Sequence, residues 1–176
     1  MAKNGLGGIR VLVVATSGRL CAVPLLHVVE IMRPLPIETL AGAPPFVRGV
    51  SILRGVPTPV VDLGVLLGSV DAAIYPGMAA RCVTLRLGER QAALFVGAVY
   101  GVRELDARTI RELPPLLQGV SNDFIEVIGT LDAQMLVVLR SGWRLPDAVW
   151  ESLAGLGSPH VTQSKVVVST TSESAR

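Results

Sequence analysis

Residues 47–63 read Val47-Arg48-Gly49-Val50-Ser51-Ile52-Leu53-Arg54-Gly55-Val56-Pro57-Thr58-Pro59-Val60-Val61-Asp62-Leu63. Two runs rich in β-branched residues flank Arg54-Gly55, where glycine supplies the backbone freedom of a tight turn. The stretch reads as strand, corner, strand. Pro57 and Pro59 have no N–H to donate, so the second strand is predicted to lie at a sheet edge or to pair on one side only. Leu63 to Leu67 continues as a single helical turn.

The same pattern recurs later in the chain. Phe46-Val47-Arg48 aligns with Phe124-Ile125-Glu126, Leu53 with Leu131, and Val60-Val61 with Val138-Leu139, an offset of 78. Upstream, Gly18 aligns with Gly88, Ala22 with Ala92 and Val29 with Val99, an offset of 70. The larger second offset places an extra loop around Pro114 to Asn122. Two copies are too few for a solenoid. They predict two similar lobes of about 60–70 residues, each near the lower limit for an independent core, that gain by burying apolar surface against each other.

Strands are predicted near 9–16, 19–24, 27–33, 48–54 and 57–61 for a first lobe spanning about 9–67. A second set near 81–87, 90–97, 99–105, 125–131 and 134–139 forms a lobe spanning about 81–142. Ser69 to Ala80 is read as a linker. Asp147 to about 155 is read as a helix, with Val149, Trp150 and Leu153 on one face and glycines at its end. Trp143 and Trp150 are expected to pin it to a lobe. Residues 1–158 thus form one domain, followed by a disordered tail at 159–176.

Composition agrees with a β protein. The 176 residues are 50% hydrophobic, 17% charged and only 4% aromatic, with 18 Gly and 12 Pro. The core must therefore be built from Val, Leu, Ile and Ala, and the chain must turn often. No apolar window reaches the roughly 18–20 residues of a membrane span, so no direct membrane insertion is expected. The five-residue run Val11 to Ala15 is too short for a signal peptide. A soluble, cytoplasmic chain is expected.

The segment at 47–63 resembles the CheW-like chemotaxis coupling family, whose pattern here is roughly G-V-x-N-L-R-G-x-x-x-P-V-V-D-L. Val28-Val29-Glu30-Ile31 is similar to the family's V-x-E-I stretch. Leu94 to Val102 is similar to its L-x-V-D-x-V-x-x-V stretch. Ile52 stands where the family usually has Asn, and Gly97 where it has Asp. The resemblance spans about residues 9 to 155. It implies an all-β fold of two SH3-like five-stranded barrels related by a pseudo-two-fold repeat, with a short C-terminal helix. It also implies an adaptor that joins a CheA-type histidine kinase to the cytoplasmic tip of a chemoreceptor, in swimming, twitching or another chemosensory-like pathway.

Carried over residue by residue, the resemblance implies Val28, Glu30, Gly49 and Arg54 as partner-binding positions. Arg54 offers a planar fork suited to a carboxylate; the alternatives are an internal ion pair with Asp62 or a solvated turn. By alternation, Val28 and Glu30 share a face. If Val29 and Ile31 are core, Val28 is an exposed apolar residue beside a charge; otherwise it is half-buried on a solvated strand. Gly49 and Gly55 are first of all backbone requirements.

Little supports other functions. No catalytic residue stands out: there is no nucleophile elbow, phosphate loop or His-Glu metal motif. No cofactor or metal site is expected, because His27 has no ligand-spaced partner. Cys21 and Cys82 read as small buried hydrophobes in a reducing compartment. A nucleic-acid-binding tandem of small barrels is the competing class. It would require a basic stripe with stacking aromatics, and a net charge of +2 argues for no nucleic acid partner.

Overall fold

The structure, a computed structural model, describes residues 8–69, 80–106, 110–112, 124–140 and 142–156. In chain order the strands are β1 (Ile9–Thr16), β2 (Arg19–Pro24), β3 (Val28–Met32), β4 (Val47–Leu53), β5 (Val56–Asp62), β6 (Arg81–Leu87), β7 (Arg90–Val96), β8 (Ala98–Leu105), β9 (Ile110–Glu112), β10 (Ile125–Leu131) and β11 (Gln134–Leu139). A 3-10 turn, Leu25–His27, joins β2 to β3. The helices are α1 (Leu63–Leu66) and α2 (Asp147–Leu156). The strand positions and the C-terminal helix agree with the sequence reading. The inner residues of the 69–80 linker, the loop at 114–122 and the tail at 159–176 lie outside the described residues.

Two sheets form, one with strand order β3-β6-β7-β5-β4 and one with order β8-β1-β2-β11-β10-β9. Strand for strand, the first five of each correspond through the internal repeat. Each sheet is a run of antiparallel pairs closed by one parallel pair, β5 with β7 and β11 with β2. Register breaks recur at matching places, between Val47 and Gly49 and between Ile125 and Val127. The expected five-stranded lobes are present, and the short β9 extends one of them by pairing with β10.

The pairing corrects the division into lobes at 9–67 and 81–142. Strands β3 to β7 form one lobe from a continuous stretch, 28–96. The other lobe combines β1 and β2 with β8 to β11. The first hairpin therefore belongs with the second half of the chain. A repeat reveals which strands are alike, but β1-β2 and β6-β7 are alike, so either could complete either lobe. The chain passes between lobes at Leu25–His27 and at Gly97, whose N–H donates to Ala15 O at 2.9 Å.

A second expectation is refined. β5 lies between β7 and β4, not at an edge. Its pairing with β7 covers only Val60 to Asp62, while Pro57 and Pro59 pair with β4 alone. One-sided pairing makes the missing N–H groups tolerable.

Side-chain alternation builds the core. On β1, Leu12 and Val14 enter a cluster shared by both sheets, while Val11 and Val13 enter a second cluster within their own lobe. On β7, Ala92, Leu94 and Val96 face the shared cluster, and Ala93 and Phe95 face a third. Both faces of these strands are buried, which is why they read as unbroken apolar runs. Each fully buried Leu or Val contributes about 2 kcal/mol of transfer free energy. Trp143, Leu145, Val149 and Leu153 join the shared cluster, so α2 is pinned where the sequence suggested.

Candidate functional site: an ion-paired corner with exposed apolar flanks

β4 and β5 are joined by a two-residue turn in which Leu53 pairs with Val56. Arg54 and Gly55 both have positive φ, +50° and +81°. That is the backbone of a turn whose twist suits a β-hairpin. Glycine adopts it freely, whereas arginine does so against its Cβ. The strained corner carries the guanidinium to Glu30 on β3. Arg54 Nη2 donates to Glu30 Oε2 at 2.8 Å and Nε to Oε1 at 3.2 Å, a two-pronged contact.

The pair lies at the surface, with side chains 81% and 26% exposed for Arg54 and Glu30. Hydrogen bonding to the guanidinium, more than its charge, holds the Glu30 carboxyl below the usual carboxylate range. Arg54 is correspondingly shifted up. Such an exposed pair does little for stability. It does fix a planar array of donors in one orientation, a use suited to recognition.

Apolar side chains bracket both partners. Ile52 and Val56, beside Arg54, are 59% and 61% exposed, and Val29 and Ile31, beside Glu30, are also exposed. Val28 is instead half-buried against the shared core. The alternative that placed Val29 and Ile31 in the core is thus reversed, and Val28 follows the half-buried reading. A register shift between Val28 and Glu30 accompanies this arrangement of β3.

Asp62 is not the partner of Arg54. Its Oδ2 accepts from Arg48 Nε at 2.7 Å, and its Oδ1 accepts from Val65 N at 3.1 Å, capping α1. The Arg48 guanidinium also lies over the Phe95 ring, 3.8 Å from its centroid. This ion pair is largely buried and ties β4, β5 and β7 together. Gly49 has φ +144°, and a Cβ there would collide with the Glu38 carbonyl. Glu38 N donates to Val50 O, and Val50 N to Glu38 O, both at 2.8 Å. Close backbone approach accounts for this glycine.

The other lobe carries a related corner. Asp132 stands at the repeat position of Arg54 and also has positive φ, +49°. Tyr100 stands at the repeat position of Glu30. Tyr100, Val102 and Met135 are exposed. This second apolar corner was missed in the sequence, although a tyrosine in so aromatic-poor a chain, aligned with Glu30, was a usable signal.

Among the described residues no group of three or more His, Cys, Asp and Glu side chains could hold a metal. Both cysteines are buried and unpaired. Burial pushes the Cys21 thiol up to about 12, and it raises Cys82 as well. No helix among the described residues is long and apolar enough to cross a membrane.

The family model for the CheW-like domain matches residues 10–142. The chain belongs to the CheW-like family. It is 27% identical over 117 residues to the chemotaxis protein CheW of Klebsiella aerogenes, covering 66% of this chain and 69% of that one. A solved relative is the scaffolding protein CheW from Thermoanaerobacter tengcongensis. It superposes with a TM-score of 0.66 at 25% identity, covering 76% of this chain and 90% of the other. CheW-like proteins are non-enzymatic scaffolds or adaptors of chemotaxis. This CheW-like chain therefore offers surfaces for assembly, and its ion-paired corner is a candidate surface.

Proposed function

We propose that the chain couples chemoreceptors to a CheA-type histidine kinase in the cytoplasm, by holding the receptor tip on one surface and a barrel of the kinase on another. The observation that carries this reading is the Glu30–Arg54 pair, fixed at a surface corner and flanked by Val29, Ile31, Ile52 and Val56. Arginine is enriched at interface hot spots, and an exposed apolar patch beside charged groups marks an interaction surface. The related corner, where Tyr100 lines a pocket with Leu131, Asp132 and Gln134, offers a second surface of different chemistry. Binding two partners at once raises their effective concentration for each other, so kinase activity can follow receptor state.

Of the four positions, Arg54 and Glu30 are proposed to touch a partner. Val28 and Gly49 are proposed to act by supporting β3 and β4. The test is a pull-down of a CheA-type kinase and of a chemoreceptor cytoplasmic tip from the same organism, using Arg54→Ala. Loss of at least one partner with an unchanged unfolding midpoint supports the assignment. Full retention of both removes Arg54 from the interface.

A further inference from the structure

We propose that a groove between the β6–β7 hairpin, the segment leading into α2 and the 3-10 turn binds a small phosphate-bearing anion. The groove encloses about 510 Å³ and is lined by His27, Arg86, Arg90, Trp143, Arg144 and Trp150, among others. It shares no residue with the ion-paired corner. Its size falls within the roughly 300–1,000 Å³ of small-molecule sites.

Its charge is the informative feature. Arg48 and Arg54 are each committed to a carboxylate. Arg86 and Arg144 make no ion pair among the described residues and are exposed. The Arg90 guanidinium lies over the Trp150 ring, 4.9 Å from its centroid, which limits its motion while leaving its donors available. Glu89 and Asp147 also line the groove. Three guanidiniums against two carboxylates leave a positive excess, and no ion pair among the described residues neutralises it.

His27 lines the same groove, with its Nε2 buried beneath the wall and without a hydrogen-bond partner among the described residues. A buried polar atom without a partner is uncommon in folded proteins. Guanidinium forks match phosphate oxygens two at a time. An apolar ligand would leave the positive excess without a counter-charge.

The chain's two tryptophans both line the groove, so their emission reports directly on its occupancy. The full chain is titrated with inorganic phosphate and with pyrophosphate, against sodium chloride at matched ionic strength. A saturable change in tryptophan emission with the phosphates alone is expected. The Arg86→Ala, Arg144→Ala double variant is expected to weaken it about tenfold or more, because charged hydrogen bonds are lost. Indole N–H resonances of the unmodified chain give a second readout that needs no variant, and both are expected to shift. No saturable response, an equal response to chloride, or an equal response from a folded double variant would overturn the proposal. So would binding to phosphatidic acid vesicles with none to the free anions.

Discussion

Phe46 and Phe124, which occupy the same position in the internal repeat, meet edge to face with ring centroids 5.7 Å apart. Their carbonyls do equivalent work: Phe46 O accepts from Asp62 N and Phe124 O from Arg140 N, each at 2.8 Å. Trp143 extends the contact, its ring centroid 5.6 Å from that of Phe124. A repeated residue thus meets its own copy where the lobes join, and the C-terminal segment seals the contact.

Truncating either ring should weaken the whole domain, because the shared cluster spans both sheets. Phe124→Ala is expected to cost about 2–4 kcal/mol, given that the ring is partly buried. The pair itself should show a coupling of about 0.5–1.5 kcal/mol beyond area burial. A urea double-mutant cycle of Phe46→Ala and Phe124→Ala measures it, and strictly additive losses would disprove the contact's energetic role.

The Glu30–Arg54 pair should report on pH without governing stability. The folded-state Glu30 value is depressed, so its small contribution is present above the ordinary carboxylate value of about 4.3 and is lost as pH falls through the folded value. A carboxyl-carbon NMR titration should place Glu30 below that value in the unaltered chain. In Arg54→Ala the midpoint should move up. A midpoint unmoved by the substitution would show that the contact does not persist in solution.

Gly49→Ala should be strongly destabilising, because it combines a left-handed φ with a clash against the Glu38 carbonyl. A loss above about 1 kcal/mol is expected. Gly55→Ala meets nothing within 4 Å of its new Cβ, so it should suffer from φ alone and lose less. Urea midpoints of the two variants test that order.

Cys21 should be inert in the folded chain. With its thiol pushed up to about 12, almost no thiolate exists at pH 8. Labelling with an aromatic disulfide reagent should be slow in native buffer and complete in denaturant. Rapid native labelling of Cys21 would contradict its burial.

Much of the fold was legible along the chain. Val/Ile/Leu runs broken by Arg54-Gly55 and its counterparts mark the strands, and alternation within a strand is a local property of the backbone. The 70 and 78 offsets expose the duplication, and Asp147 with Val149, Trp150 and Leu153 marks the last helix. The site was only half legible. Glu30 and Arg54 were each identifiable, but their pairing was not, because 24 residues separate them and Asp62 lay nearer in sequence.

Sequence alone determined that two similar β units exist, which residues are apolar enough to fill them, and where the chain must turn, since these depend on neighbours a few positions apart. Only the tertiary structure decided that β1 and β2 complete the second half's lobe, that Arg48 claims Asp62 and so leaves Arg54 to Glu30, and that Val29 and Ile31 face outward. Hairpins of the same shape give competing pairings similar local energy. Packing across the shared core, summed over distant residues, selects one of them.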